Sequence, residues 1–402
     1  MDMSARELPR IAIVGGGIGG LAACVFLRRA GLAATVYEQA PQLTEVGAGL
    51  VVAPNAVRLL RRLGVMRQFR SRAVALEWGW EFRRWENGAL LSVERLAGVC
   101  ERRYGECTYV THRADLLAAI RTAVPDEWIR LGARCTGLEL RSDRARLSFA
   151  DGGTVDADLV IGADGMHSVV RAAITDPAPP QHSGMCAMRA LVPAEHAPAL
   201  ARRPAQTIWL GPGRHLVHYP IRGRRTINLV AFAPAGEHIE ESWSATSSVA
   251  EFLAEFAGWD PRVTELIRAA ETPGRWALLD RAPALHWSTE RATLLGDAAH
   301  PMFPFYAQGA AQAIEDAACL AVCLATEPDD PGQALTRYES VRIARTMRIQ
   351  RLSHDRAGLN HLPDGPRQRA RDAELSRADP LTDNGWIYSY DAEAAAAATT
   401  RT

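Results

Sequence analysis

Two periodicities alternate along the chain. Residues Ile11 to Val14 form an unbroken apolar run, a glycine-rich turn follows, and apolar positions then recur at helical spacing to about Ala30. This predicts a buried strand, a turn and a helix, with Gly31 as the helix stop and a second strand at Ala34 to Glu38. PNAVRLLRRLGV and HRADLLAAIRTAV carry further helical patterns. RARLSFADGGTVDADLVIGADG alternates like a hairpin turning at Asp151-Gly152-Gly153, before a fully apolar strand. From Pro177 to about Leu279, proline-rich connectors separate strand-like runs such as TIWLG, HLVHYPI and TINLVAFA. That stretch predicts an antiparallel sheet inserted into an α/β domain, which resumes at RATLLGDAAH. Beyond Ala310 the pattern is helical to about Gly358. The alanine-rich tail after Asp391 is low in complexity and expected to fray.

The expected domains are therefore discontinuous. Residues 7–73, 107–178 and 280–345 make the α/β domain, and 74–106 with 179–279 make the inserted one. Residues 346–390 form a C-terminal helical extension, and 391–402 a disordered tail.

Composition narrows the chemistry. The 402 residues are 48% hydrophobic, enough for a sizeable core. The 46 basic residues balance 46 acidic ones, so no global field draws the chain to nucleic acid or to an anionic membrane. Small molecules are the expected partners. Every basic residue is arginine, which removes a phosphate loop ending in Gly-Lys, a Schiff-base lysine and a lysine general base. Zinc-helix and nucleophile-elbow motifs are absent too, and no metal is expected. The 7 cysteines are scattered and suit reduced core positions in the cytoplasm, Cys319 and Cys323 included. The apolar run to Leu27 is broken by glycines, unlike a signal peptide or a membrane span.

Three segments could meet around one ligand. In Gly15-x-Gly17-x-x-Gly20, the first glycine permits a tight turn, the second lets a pyrophosphate approach the backbone, and the third allows close helix packing. Phosphates would then meet a helix N-terminus, while Glu38, ending the next strand, could accept from a ribose 2′-OH. That carboxylate fits FAD or NAD and repels a 2′-phosphate. In DLVIGADGMHSVVR, a strand ends in glycines around Asp164 and a helix starts near Ser168; a plain turn explains this as well as a ligand contact does. In LLGDAAHPMFPFYAQGA, Asp297 can accept from polyol hydroxyls, and Gln308-Gly309-Ala310 opens a helix whose positive end favours negative charge on a bound ring. A flavin needs both features.

Taken in order, GGGIGG with Glu38, IGADGMHSVVR and LLGDAAHPMFPFYAQGAAQAIEDA resemble the signatures of the single-component flavoprotein aromatic hydroxylases, the para-hydroxybenzoate hydroxylase class. Within that class, GAGLVVAPNAVRLLRRLG, THRADLL, GPGRHLVHYPIRG and WIYSYDAEA resemble the salicylate hydroxylase and 3-hydroxybenzoate 6-hydroxylase branch. The resemblance implies a Rossmann-like FAD-binding domain with an inserted antiparallel-sheet substrate domain and a C-terminal helical segment. It implies that Gly15, Gly17, Gly20 and Glu38 hold the adenosine diphosphate half of FAD. Arg113 would contact the cofactor, Asp164 would serve FAD and pyridine-nucleotide use, and Asp297 would bind the ribityl chain. Ala48, Gly49, Gln308, Gly309 and Ala310 would line the ring, and Pro304 would lie near the reacting flavin carbon.

The implied chemistry is reduction of FAD by transiently bound NAD(P)H, capture of O2 as a C4a-hydroperoxide, and transfer of one oxygen to an electron-rich aromatic ring. A phenol becomes a better acceptor of that oxygen when deprotonated, a task suited to histidine. If HLVHYPI is a strand, His215, Val217 and Tyr219 face one way and His218 the other, with His215 and Tyr219 roughly 13 Å apart. The residues alone make a strand histidine more often structural; the resemblance selects His215 and Tyr219 as the activating pair. Val51, Val217, Phe303 and Phe305 would complete the substrate wall. Pro304, Val51 and Phe305 replace polar residues of some relatives, which suggests a more apolar substrate, an indole or fused aromatic included. A flavin oxidase or dehydrogenase, and a non-catalytic flavin binder, are the alternatives. His300 reads as a turn residue, and Arg342, Arg345, Arg348 and Arg351 as a solvated helix face.

Overall fold

A computed structural model of the protein describes residues 9–43, 48–175, 178–235 and 247–399. Residues 7 and 8, Gly47, the start of the connector at Asp176 and Pro177, and the last three residues of the tail lie outside the described residues. The first strand, Arg10–Val14, and the second, Ala33–Tyr37, pair in parallel around the helix Ile18–Arg29. With Leu159–Gly162, Ala292–Leu294 and Ile129–Arg130 they form a five-stranded parallel sheet. Four buried apolar residues in the first strand explain its central place, since such a sheet is covered on both faces. The hairpin expected around Asp151 is present: Ala145–Phe149 pairs with Thr154–Ala157, and Asp151 accepts from the Gly153 amide.

A second sheet has seven strands, in the order Glu271–Asp280, Gln181–Pro193, Thr226–Pro234, Arg214–Ile221, Ala205–Gly211, Gly79–Arg84 and Leu90–Glu94. All of its pairings are antiparallel except that between Ala205–Gly211 and Gly79–Arg84. One face packs under the helices Val249–Glu255 and Pro261–Arg268 through Leu216, Leu229, Phe252 and Phe256. The other face lines a cavity.

The helix Gly309–Thr326 runs through the core against the glycine-loop helix. It is long and apolar enough to cross a membrane, yet most of it is buried within the fold. Next comes one continuous helix, Pro331–Asn360, so the boundary expected at 345/346 falls inside a helix. Two of its arginines correct the solvated-face reading. Arg342 and Arg345 are buried, because Glu315 and Asp316 on the core helix supply the opposite charge: Arg342 Nη1 lies 2.6 Å from Glu315 and its Nε 2.7 Å from Asp316. Arg348 and Arg351 are exposed, as expected.

The tail is a second correction. Ala392–Ala398 is helical, capped by Asp391, which accepts from the Ala394 amide. Ala392 and Ala396 are fully buried against the core. Low complexity concealed a face of small residues, one turn apart, that lets two helices approach closely.

Candidate active site

The free face of the large sheet follows from alternation along its strands. Val217, Tyr219, Val230 and Phe232 pack on this side, whereas Leu216 and Leu229 pack on the other. Across the strands, Val217 stands opposite Val230, and Val230 opposite Arg189. At a strand spacing of about 4.8 Å, Arg189 lies roughly 10 Å from Val217 along one row. Above this face is a cavity of about 640 Å³ that reaches to the glycine turn and to the loop after Ala292–Leu294.

Most of the residues singled out in the sequence line this one cavity: Gly17, Ala48, Gly49, Val51, Arg113, His215, Val217, Tyr219, Asp297, Phe303, Pro304, Phe305, Gln308, Gly309 and Ala310. Four do not. A side chain at Gly15 would sit 2.4 Å from the Ala163 carbonyl oxygen, and one at Gly20 would sit 2.0 Å from that of Gly15. These two glycines let strand and helix close on each other. Glu38 accepts from the amides of Gly16, at 2.6 Å, and Ala40, at 2.8 Å, and so braces the turn from behind. Asp164 faces away from the cavity and caps the helix Val169–Ile174 through Ser168 and the amides of Val169 and Val170. Burial raises its carboxyl above the usual range. The turn reading of this segment is the one that fits.

Gly17 has open space where a side chain would stand, and it caps the N-terminus of its helix. Helix N-termini at Ile18 and Gly309 thus open onto one cavity, each able to stabilise negative charge. Asp297 projects between them with no hydrogen bond or ion pair to the described residues. Behind it, Asp316 accepts from the Gly296 amide at 2.9 Å and from His300 Nε2 at 2.6 Å. His300 is therefore structural, as expected. Gln308 accepts from Asn55 at 3.0 Å, and Asn55 also donates to Glu315 at 2.7 Å. This ties the segment at Gln308 to the buried charge cluster.

The two ends of the cavity meet at Gly49. Its amide donates to Asn228 Oδ1 at 2.6 Å, and a side chain there would come within 2.6 Å of the Tyr219 ring. Glycine is needed because the loop carrying Ala48 passes directly over the sheet.

His215 is buried, stacked on Phe232 at 4.7 Å and edge-on to Phe305 at 5.3 Å. Its Nδ1 lies 2.6 Å from Nε2 of His361. Burial, with His361 beside it, holds its pKa well below the ordinary histidine value, so the ring is neutral. Tyr219 is pushed up by burial, partly offset by Arg189, and stays protonated. Arg189 is lowered to about 10 by burial and remains charged. Its guanidinium stacks over Trp276 at 5.0 Å and makes no hydrogen bond to the described residues; Nε is buried without a partner. Sequence reading missed Arg189, Asn228 and His361. An arginine on the cavity-facing alternation of CAMRALV was an available signal; a histidine in a loop far along the chain offered none.

His218 faces the opposite side, against Trp209. Burial, then Arg83 and Arg203, lower its pKa to about 3. A histidine depressed in the fold contributes stability above its unfolded value near 6.5, and that contribution is lost as pH falls toward the folded value. Between pH 7 and pH 5, His218 should therefore remove about 2 kcal/mol of unfolding free energy. Urea titrations at the two pH values should show a smaller difference in His218→Phe; an unchanged difference contradicts the assignment.

The FAD binding domain family matches residues 9–353. The chain belongs to this family. It is 44% identical over 392 residues to a 3-amino-4-hydroxybenzoate 2-monooxygenase of Streptomyces platensis, covering 98% of each chain. It is 35% identical over 382 residues to a 3-hydroxybenzoate 6-hydroxylase of Aquipseudomonas alcaligenes, covering 94% of this chain and 96% of that one. Among solved structures, HpxO of Klebsiella pneumoniae in complex with FAD and uric acid superposes with a TM-score of 0.85 at 26% identity, covering 95% of this chain and 96% of that one. As a family member the chain is an FAD-dependent aromatic monooxygenase, and the fold and cofactor expected from its three motifs hold.

Proposed function

We propose that the substrate is a small phenolic acid of the aminohydroxybenzoate type, with its carboxylate on Arg189, beside Tyr219, and its hydroxyl toward His215. One observation carries this reading: a charged guanidinium, largely sequestered from solvent, stacked on Trp276 and without an acidic or hydrogen-bonding partner among the described residues, stands on the cavity floor. Such a group is costly to bury unless a ligand supplies the anion. A Streptomyces platensis relative that matches nearly the whole chain is named for an acid of this kind. Arg189 favours an acid over the more apolar substrate that Pro304, Val51 and Phe305 suggest.

The cavity suits FAD. Gly17 and the N-terminus at Ile18 would receive the pyrophosphate and Asp297 the ribityl hydroxyls, while Glu38 holds the turn through Gly16 and Ala40. Arg113, Ala48, Gly49 and the segment Gln308 to Ala310 would flank the ring. Bound FAD, reduced by NAD(P)H, supplies the activated oxygen. The chain's own residues orient the acid through Arg189, and Phe232, Phe303 and Phe305 exclude water around Pro304. His215 takes the phenolic proton on Nε2, which raises the electron density of the ring at the position to be hydroxylated.

Arg189→Met should raise the KM for 3-amino-4-hydroxybenzoate by about 30- to 150-fold, equivalent to about 2–3 kcal/mol. It should leave the weak binding of the corresponding neutral amide unchanged. Equal losses for acid and amide would show that Arg189 does not read the carboxylate.

A further inference from the structure

His361 is the C-cap residue of the long helix Pro331–Asn360 and lies outside the lining of the cavity, behind His215. Two contacts fix it there. Its Nε2 meets His215 Nδ1 at 2.6 Å, and its carbonyl oxygen accepts from the Gly213 amide at 3.0 Å, in the turn that leads into the His215 strand. The rings lie 4.8 Å apart, enclosed by Phe232 and Phe305.

Two neutral imidazoles in such a contact share one proton, so one ring donates and the other accepts. The choice decides the state of His215. If His361 donates, His215 Nδ1 is the acceptor and its Nε2 carries a proton, which makes that nitrogen useless as a base. If His215 Nδ1 donates, Nε2 is bare. The helix terminus favours the second arrangement. The C-terminus of a 30-residue helix carries the negative end of its dipole, which attracts N–H groups, as Arg371 does in donating to the Leu359 carbonyl at 2.7 Å, and Nδ1 is the ring nitrogen of His361 nearest the backbone. The His361 proton is therefore drawn to Nδ1, which leaves its Nε2 as the acceptor.

We propose that His361 is a positioning residue that holds His215 in the tautomer with a proton on Nδ1 and a bare Nε2 toward the cavity. The proposal rests on the reading of His215 as the base for the phenolic proton. On that transfer, the O–H bond of the phenol breaks and an N–H bond forms at His215 Nε2. The Nδ1 proton stays hydrogen-bonded to His361, which stabilises the imidazolium so formed.

Nitrogen-15 histidine labelling of the full-length, FAD-loaded protein tests this without substrate. Long-range proton–nitrogen spectra should show His215, identified by its loss in His215→Gln, protonated on Nδ1. In His361→Ala its proton should move to Nε2, and in His361→Gln, whose amide oxygen can accept in place of Nε2, it should stay on Nδ1. With 3-amino-4-hydroxybenzoate, kcat should fall about a hundredfold in His361→Ala with KM within about threefold, and His361→Gln should recover most of it. An Nε2-protonated His215 in the wild type, or the same tautomer in both variants, overturns the proposal. Wild-type protein that fails to hydroxylate would instead overturn the reading of the substrate, and the spectra would still decide the role of His361.

Discussion

Arg342→Met is expected to destabilise the protein by about 3–5 kcal/mol, the usual consequence of leaving buried charges without their partner. Arg342 is fully buried and is hydrogen-bonded to Glu315, Asp316 and Gln312. Methionine fills similar space but removes the shared partner of two core carboxylates; Arg345, 2.8 Å from Glu315, and His300, 2.6 Å from Asp316, compensate only in part. Thermal unfolding should shift down by roughly 4–6 °C. The damage should reach the cofactor, since Asp316 holds the Gly296 amide beside Asp297, and Glu315 reaches Gln308 through Asn55. Burial alone would raise the Asp316 carboxyl, but His300 and Arg342 outweigh it and hold the pKa down to about 2. A carboxyl depressed in the fold stabilises above its unfolded value near 3.9 and loses that contribution as pH falls toward 2. The cluster is therefore an acid-sensitive lock whose failure lies well below neutral pH. An unshifted melting temperature in Arg342→Met would show that it contributes little.

His215→Ala should lower kcat by about 10²- to 10⁴-fold, the range expected for loss of a positioned base, with FAD content per protein unchanged. The separation of the two readouts matters. His215 belongs to the sheet, while the glycine turn and Asp297 belong to loops around the parallel sheet. Because burial keeps the ring neutral, protonation of His215 should not depress activity between pH 8 and pH 6. Flavin absorbance, kcat and a pH profile together check the claim. Unchanged turnover would remove His215 from the chemistry.

Much of this site could be read from the sequence, because its parts announce themselves locally. A strand, a glycine turn and a helix identify the phosphate end, and alternation in HLVHYPI places His215, Val217 and Tyr219 on one face. What escaped was set by partners distant in the chain. Four arginines at a spacing of three look like a solvated stripe until Glu315 and Asp316, a helix away, claim Arg342 and Arg345. Asp164 has the chemistry of a ligand contact, yet its own helix uses both oxygens. The alanine tail lacks any signal beyond low complexity, and its order comes from the surface it covers. His361 meets His215 across 146 positions of sequence, a proximity that only the fold creates.

The proposed function places one flavin beside a phenolic acid in the cavity and passes an oxygen atom from O2 to its ring. Its most direct test is mass spectrometry of the product formed by the FAD-loaded protein with NAD(P)H and 3-amino-4-hydroxybenzoate under ¹⁸O2. A hydroxylated product carrying one heavy oxygen atom is expected. Oxidation of NAD(P)H that yields only peroxide, or a product whose new oxygen comes from water, would contradict it.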